Sequence, residues 1–170
     1  MEVAPGPGYV SIELAKKGKY TVTGIDISPN FVEIAKNNAI REKAKVTFLE
    51  GDVAAMPFEE NTFDFIFCSS AVKHFNEPVI SLQEMYRVLK PGGIAFIIDT
   101  RGGMPKQELE EEVRKIFKPG FESFWVKRSF KKLSKYAYTK EEFIEMINQT
   151  AFIKNEVEEN VFVFLIYLYK

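Results

Sequence analysis

The sequence predicts an α/β protein built on a doubly wound, mostly parallel sheet. Short apolar stretches typical of strands alternate with amphipathic stretches typical of helices as far as Asp99. A Gly/Pro-rich turn at Pro5–Gly8 separates the first strand from the first helix. With 170 residues, of which 46% are hydrophobic and 28% charged, the chain is long enough for one domain with a sizeable core.

The first five strands and three helices follow from local signals. Gly18 stands at a helix C-terminus, Ser28-Pro29 form an N-cap followed by proline at the first helical position, and Lys90–Gly93 stops a helix. Phe63–Cys68 is nearly continuous apolar sequence, as expected of a strand covered on both faces. The predicted strands are Met1–Ala4, Tyr20–Asp26, Val46–Glu50, Phe63–Cys68 and Ile94–Asp99, and the predicted helices are Tyr9–Lys17, Pro29–Asn38 and Pro78–Leu89.

The alternation breaks after the fifth strand. Residues 102–138 carry an acidic stretch, aromatic residues and then a basic stretch, and we predict one helix plus an irregular cover over the ligand edge of the sheet. Thr139 and Glu142 match a capping box that opens a helix reaching Gln149. Two antiparallel strands, Phe152–Glu158 and Val161–Tyr169, close a single domain of residues 1–170, with Glu159-Asn160 as the turn.

Composition excludes several classes of function. The formal net charge of −1 provides no global basic field for a nucleic acid, so none is expected as a partner. One cysteine excludes an internal disulfide and a multi-cysteine metal site, and we expect no metal and a reducing, cytoplasmic compartment. The longest apolar run, Val161–Tyr169, is too short to span a bilayer, and no signal peptide is visible.

Informative residues cluster at predicted strand ends. In doubly wound sheets, ligands bind outside the carboxyl ends of the strands, near the switch in strand order. The residues at such ends are Ala4–Gly8, Asp26, Asp52, Cys68–Ser70 and Asp99.

In order and spacing, these motifs resemble the class I S-adenosylmethionine-dependent methyltransferases, closest to the ubiquinone and menaquinone ring methyltransferase group. The matching stretches are Glu2–Gly8, Gly24–Ser28, Gly51–Phe58, Phe63–Ile66 and Arg87–Gly93. The resemblance covers essentially the whole chain and implies a Rossmann-like fold, S-adenosylmethionine as cofactor and S-adenosylhomocysteine as product. It also implies methyl transfer to a small-molecule acceptor by direct in-line displacement.

The resemblance assigns cofactor contacts residue by residue. Asp26 would accept hydrogen bonds from both ribose hydroxyls, because a carboxylate offers two acceptor oxygens. Asp52 would accept from the adenine amino group. The other implied cofactor residues are Glu2, Ala4, Gly6 and Gly8 in the first loop, Ile27, Val53 and Met56 around the adenine, and Ser69 near the methionine moiety. Each has a plainer alternative, since glycine and aspartate also shape ordinary turns and caps.

The acceptor side is less defined. His74, the only histidine, follows the fourth strand and is the candidate base, with a loop histidine bonded to the backbone as the alternative. Phe121, Trp125 and Tyr138 are candidates for an acceptor pocket, with packing of the cover onto the sheet as the alternative. Cys68 is expected to be a buried strand residue.

Two departures from the family pattern leave other functions open. Ala4 stands where the family usually has glycine, and the usual N-terminal part of the fold is apparently missing. A methyltransferase-like binding or interaction module without catalysis is therefore one alternative. An NAD-dependent oxidoreductase is a second, although Ser11 only approximates its third glycine. Apolar surface left by a short first strand makes a homo-oligomer a further hypothesis.

Overall fold

A computed structural model describes residues 1–170 and has seven strands in one sheet, in the order β3-β2-β1-β4-β5-β7-β6. The parallel strands are β1 (Glu2–Val3), β2 (Val22–Asp26), β3 (Val46–Glu50), β4 (Phe63–Ser69) and β5 (Leu89–Thr100). The C-terminal hairpin consists of β6 (Lys154–Glu159) and β7 (Val163–Tyr169), and β7 pairs antiparallel with β5. The predicted doubly wound, mostly parallel sheet is confirmed.

The strand order reverses at β1, which pairs with β2 on one side and with β4 on the other. Right-handed crossovers in opposite directions put helices on both faces of the sheet. One core contains Ile12, Val32 and Phe48 from the first half of the chain. A larger core joins the middle of the sheet to later helices. The helices are α1 (Tyr9–Lys16), α2 (Pro29–Arg41), α3 (Pro78–Val88), α4 (Lys106–Ile116), α5 (Phe121–Tyr136) and α6 (Lys140–Asn148).

Local capping explains where two of these helices begin. The Ser28 hydroxyl accepts a hydrogen bond from the Phe31 amide at 3.3 Å, and Pro29 occupies the first turn of α2. Thr139 and Glu142 form the predicted capping box of α6, with the Thr139 amide donating to the Glu142 carboxylate at 2.7 Å. No helix in the structure has both the length and the apolar character required to cross a bilayer.

Three predicted details were wrong. Residues 102–138 form two helices, α4 and α5, where one helix and an irregular cover were predicted; the period of α5 is hard to recognise because its apolar and aromatic residues do not form one buried stripe. The hairpin turn lies at Asn160–Phe162, where the Asn160 side chain accepts from the amides of Phe162 and Val163 at 2.9 Å each. Strand β5 begins at Leu89, ahead of the predicted Ile94.

The first strand is shorter than its neighbours. Only Glu2 and Val3 pair in β1, whereas β2 has five residues and β4 has seven. A cavity of about 550 Å³ lies beside Met1 between these two neighbours, at the amino end of the sheet. This cavity is on the edge opposite to the strand ends that carry the candidate site.

Candidate functional site

The loop after β1 has left-handed backbone at three positions. The φ angles are 51° at Ala4, 51° at Gly6 and 80° at Gly8. An added Cβ at Gly8 would lie 2.6 Å from the Phe48 ring and 3.0 Å from Ala35, so this glycine allows α1 to pack on the sheet. An added Cβ at Gly6 would meet nothing within 4 Å, so this part of the loop faces open space. Ala4 adopts a conformation that favours glycine.

Asp26 connects this loop to the end of β2. Its carboxylate is only 6% exposed and accepts from the Gly6 amide at 3.0 Å through Oδ2 and from the Ser28 amide at 3.0 Å through Oδ1. The Asp26 carbonyl also accepts from the Gly51 amide at 3.0 Å, which connects β2 to the turn after β3. Each carboxylate oxygen keeps a further lone pair, because an ionised carboxylate has about four acceptor positions.

Asp52 begins the 3₁₀ helix Val53–Ala55. Its Oδ1 accepts from the Ala54 amide at 2.9 Å, so the plainer role of a cap is real at this position. The other oxygen makes no hydrogen bond within the protein. Asp52 and Val53 line the same small cavity as Asp26 and Ile27, which brings both predicted aspartates to one place.

This cavity, which we call the strand-end cleft, lies outside the ends of β1, β2 and β3. Its floor and sides are apolar, with carboxylates at two points, and its lining residues are Val3, Ala4, Ile25, Asp26, Ile27, Gly51, Asp52, Val53, His74, Phe75 and Asn76. The enclosed volume is about 50 Å³, whereas pockets for ligands of drug size hold roughly 300–1,000 Å³. A nucleoside-sized ligand would therefore extend out of the cleft or displace the segment His74–Asn76.

The predicted cofactor residues Glu2, Met56 and Ser69 do not line the strand-end cleft. Glu2 points to α1, where its carboxylate accepts from both the amide and the hydroxyl of Ser11. Burial raises the pKa of Glu2, and the two bonds from Ser11 oppose that shift. Met56 is buried in the larger core, while Ile27 and Ser69 are exposed. Ser69 ends β4, next to the switch in strand order.

A buried ion pair near this edge was not predicted. Asp99, at the end of β5, accepts from the Val72 amide at 2.9 Å and lies 3.5 Å from the Lys73 ammonium. The side chains of Lys73 and Asp99 are 7% and 2% exposed. The pair therefore anchors the 3₁₀ helix Val72–His74 to the sheet. The sequence identified Asp99 as an acidic residue at a strand end. It contains no local pattern that indicates Lys73, 26 residues away, as the partner.

His74 borders two cavities. It lines the strand-end cleft and also a cavity of about 540 Å³ between the 3₁₀ helix and α5, whose other lining residues are Lys73, Ser129, Lys132, Leu133 and Tyr136. The exposed imidazole makes no side-chain hydrogen bond, while the His74 amide donates to the Ala71 carbonyl at 2.8 Å. We call this second space the α5 cavity.

The three predicted acceptor-pocket aromatics do not lie together. Phe121 and Trp125 contact each other on the exposed side of α5, with ring centroids 5.9 Å apart. Tyr138 instead packs edge-on against Phe143 in the larger core, at 5.6 Å. The tyrosine that lines the α5 cavity is Tyr136, from the same aromatic-rich segment.

Comparisons with known proteins agree with this architecture. Residues 1–97 match a family described as a methyltransferase domain, which is more than half of the chain. A demethylmenaquinone methyltransferase from Chlorobaculum tepidum is 35% identical over 99 residues, which are 58% of this chain. The chain spans only 39% of that relative's length.

Two solved structures extend the likeness beyond the family match. A S-adenosylmethionine-dependent methyltransferase from Aquifex aeolicus has the same fold over 98% of this chain and 79% of its own, with a TM-score of 0.73 and 23% identity. A phosphoethanolamine N-methyltransferase from Haemonchus contortus, in complex with S-adenosylhomocysteine, matches 92% of this chain and 33% of its own, with a TM-score of 0.68 and 28% identity. Together with the strand order and the two strand-end aspartates, these matches show that the chain belongs to the class I S-adenosylmethionine-dependent methyltransferase family.

Proposed function

We propose that this chain binds S-adenosylmethionine at the strand-end cleft and transfers its methyl group to a small-molecule acceptor. The observation that carries the proposal is the 3.0 Å hydrogen bond from Gly6 to Asp26, since Asp26 lines the same cleft as Asp52. An apolar cleft with two carboxylates suits a ligand with a flat heterocycle and neighbouring hydroxyl and amino donors.

In the proposed complex, residues at different strand ends bind different parts of the cofactor. Asp26 would hold the ribose hydroxyls and Asp52 the adenine amino group, with Val53 and Ile27 against the ring. The open side of Gly6 in the first loop, with Ala4 and Gly8 shaping it, would allow close approach of the amino-acid part, and Ser69 would lie beside it. Glu2 would act from behind by fixing the loop to α1 through Ser11. Met56 would support Val53 from the core.

Bound S-adenosylmethionine supplies a methyl group on a positively charged sulfur, and the transfer we propose is a direct in-line displacement by the acceptor atom. The chain would contribute position, since good orientation can be worth roughly 7–11 kcal/mol of the barrier. His74 borders both the cleft and the α5 cavity, so it is the proposed base for an acceptor that must lose a proton. Its free imidazole is compatible with that role.

The α5 cavity is the proposed acceptor site, with Tyr138 supporting it from the core and Phe121 and Trp125 on the outer side of the same cover. Lys132 lines the cavity without an ion-pair partner, whereas the charge of Lys73 is balanced by Asp99, and no acidic residue lines the cavity. An acceptor with a negatively charged group would therefore meet favourable charge. The demethylmenaquinone methyltransferases among the relatives support a small organic acceptor.

Thermal unfolding with S-adenosylmethionine, S-adenosylhomocysteine or NAD tests the cofactor. A ligand at 100 times its Kd adds about 2.7 kcal/mol to the free energy of unfolding, and each kcal/mol raises the Tm by roughly 2–4 °C for a domain of this size. We expect a rise with the first two ligands and none with NAD. No rise with either methyl-donor ligand would contradict the proposal, and a rise with NAD alone would support the oxidoreductase alternative, which the family match does not favour.

Methyl transfer needs its own assay, because binding alone fits a module without catalysis. Radiolabelled methyl from S-adenosylmethionine should appear in candidate quinol, phenol or phosphoamine acceptors. His74→Ala should lower turnover at saturating acceptor and saturating S-adenosylmethionine. Unchanged turnover in that variant would remove His74 as the base, and cofactor binding without transfer to any acceptor would support the non-catalytic alternative.

A further inference from the structure

Helix α5 presents large aromatic side chains to solvent. Phe121, Phe124, Trp125 and Tyr136 are 78%, 57%, 48% and 67% exposed. Their spacing of three, four and eleven residues puts them on one side of the helix, because residues three and four apart are neighbours on a helix surface. Isolated exposed aromatics are ordinary, but the three contacting rings of Phe121, Phe124 and Trp125, with Tyr136 further along the same side, are of a kind that marks an interaction surface.

The same helix carries an uncompensated positive charge. Five basic residues and one acidic residue lie in Phe121–Tyr136, although the whole chain has a net charge of −1. None of the five basic side chains forms an ion pair, since every salt bridge in the structure involves other residues. Arg128, Lys132 and Lys135 are exposed between the aromatic rings. This charge is therefore available to an external anion.

The turn between α4 and α5 forms an apolar tip. Ile116 is 60% exposed at the end of α4, and Phe121 begins α5 five residues later. The ring centroids of Phe121 and Phe124 each lie 5.9 Å from that of Trp125, both edge-to-face. These rings form a compact apolar group with cationic side chains on the adjoining helical turns.

We propose that α5 binds the surface of an anionic lipid bilayer. Trp, Tyr and Phe favour the boundary between headgroups and acyl chains, where an amphipathic ring has one wet side and one apolar side. Lys and Arg side chains extend their charges to lipid phosphates while their methylene stems remain against apolar surface. A helix with both residue types on its outer side matches the chemistry of such a surface.

Two other occupants fit the observations less well. A second copy of this chain joined through the same face would bring two sets of unpaired cations together, which a two-fold interface makes unfavourable. A single-stranded nucleic acid needs a row of free aromatic faces for stacking, whereas Phe121, Phe124 and Trp125 pack their edges and faces against each other.

Binding of α5 to a bilayer would also bring the α5 cavity close to the lipid. Lys132, Leu133 and Tyr136 of this helix also line the α5 cavity beside His74. A chain bound through α5 would hold the mouth of that cavity near the lipid, where a lipophilic acceptor would be found. This consequence rests on the proposed function, whereas the binding to lipid does not.

The chain contains one tryptophan, and it lies in the proposed contact. The experiment mixes the full chain with vesicles of pure phosphatidylcholine or of phosphatidylcholine with phosphatidylglycerol, and follows both sedimentation and Trp125 emission. We expect sedimentation and a blue shift with the anionic vesicles only, weakening as salt is added. Brominated acyl chains should quench Trp125, because its ring would be within the interface.

Variants of α5, each paired with a control elsewhere on the surface, distinguish the contribution of charge to vesicle binding from that of the aromatic rings. Lys132→Glu with Lys135→Glu should weaken binding by at least about 25-fold, since each basic residue near an anionic surface contributes about fivefold. The matched control is Lys17→Glu with Lys19→Glu, two exposed lysines on the opposite edge of the sheet. Phe121→Ser with Phe124→Ser should abolish the blue shift, with Tyr20→Ser as the exposed aromatic control. All of these side chains are exposed, so equal Tm values check the fold.

Several results would overturn the proposal. One is equal binding to neutral and anionic vesicles. Another is sedimentation with the vesicles without a change in Trp125 emission. A third is a loss of vesicle binding in the control variants as large as that in the α5 variants. Binding to a single-stranded oligonucleotide but not to vesicles would assign the face to nucleic acid, and concentration-dependent dimerisation lost in the aromatic variant would assign it to a second copy.

Discussion

The Gly6 amide donates a hydrogen bond to the Asp26 carboxylate at 3.0 Å, which ties the loop after β1 to the end of β2. Because β1 and β2 are neighbours in the sheet, this bond fixes the two strand ends that form one side of the strand-end cleft. Asp26 therefore has two roles in the proposed function: it shapes the loop, and it offers its remaining lone pairs to a ligand.

Asp26→Asn should weaken S-adenosylhomocysteine binding by about 10- to 150-fold, since hydrogen bonds to a charged group are worth about 1.5–3 kcal/mol. The amide keeps the shape of the side chain but has one acceptor oxygen in place of two. Isothermal titration calorimetry measures the loss. Asp64→Asn is the control, because Asp64 is an exposed acid paired with Lys90. Equal affinity in Asp26→Asn and the parent would exclude Asp26 as a cofactor ligand.

Asp99→Asn should destabilise the chain strongly, because it leaves the Lys73 ammonium buried without its counter-ion. Removing one partner of a buried pair typically costs 3–5 kcal/mol, roughly a 6–20 °C fall in Tm for this size of protein. Adding Lys73→Met should recover much of the loss, since the buried charge is then gone. Urea unfolding measures both variants.

The matched control for that pair is the exposed ion pair of Lys90 and Asp64, whose atoms lie 2.8 Å apart. Asp64→Asn should leave the free energy of unfolding nearly unchanged, because solvent screens an exposed pair. Similar losses at Asp64 and Asp99 would mean that burial does not determine the worth of the Lys73–Asp99 pair.

The sheet and its site-bearing strand ends were predictable because their signals are local. Asp26 and Asp52 each follow a short apolar stretch, and the parallel arrangement brings the carboxyl ends of β2 and β3 to one edge. The roles of Gly6 and Gly8 could not be separated in the same way. Only the three-dimensional structure distinguishes the open side of Gly6 from the close contact of Gly8 with Phe48.

The cover was harder to predict because its longer helix, α5, lacks a clean apolar stripe. In α5, aromatic residues point outward, and the partly buried side includes Val126 and Phe130. Phe130 packs against Phe162 of the hairpin turn at 4.6 Å, a contact between residues 32 positions apart. Long-range contacts of this kind, like that between Lys73 and Asp99, have no signature in one sequence.

Cys68 should resist thiol reagents in the folded chain. Burial raises its pKa far above the ordinary value, and the nearby carboxylates of Asp99 and Glu2 add to the shift. The reactive thiolate is therefore scarce, and the sulfur is fully buried in the sheet. Ellman's reagent at pH 8 should label the native chain only as fast as it unfolds and the urea-unfolded chain at once. With one cysteine in the chain, rapid labelling of folded protein would contradict this directly.

Glu2 should make the free energy of unfolding fall as pH rises above its ordinary pKa of 4.5. Burial raises the pKa of Glu2 in the folded state, so over that window the folded chain holds a proton that the unfolded chain has lost. Its contribution is complete below pH 4.5 and is lost as pH rises through the folded pKa. Urea unfolding across this range should show a steeper fall in the parent than in Glu2→Gln, which cannot ionise. Parallel profiles for Glu2→Gln and the parent would show that the Glu2 carboxylate remains ionised in the folded chain.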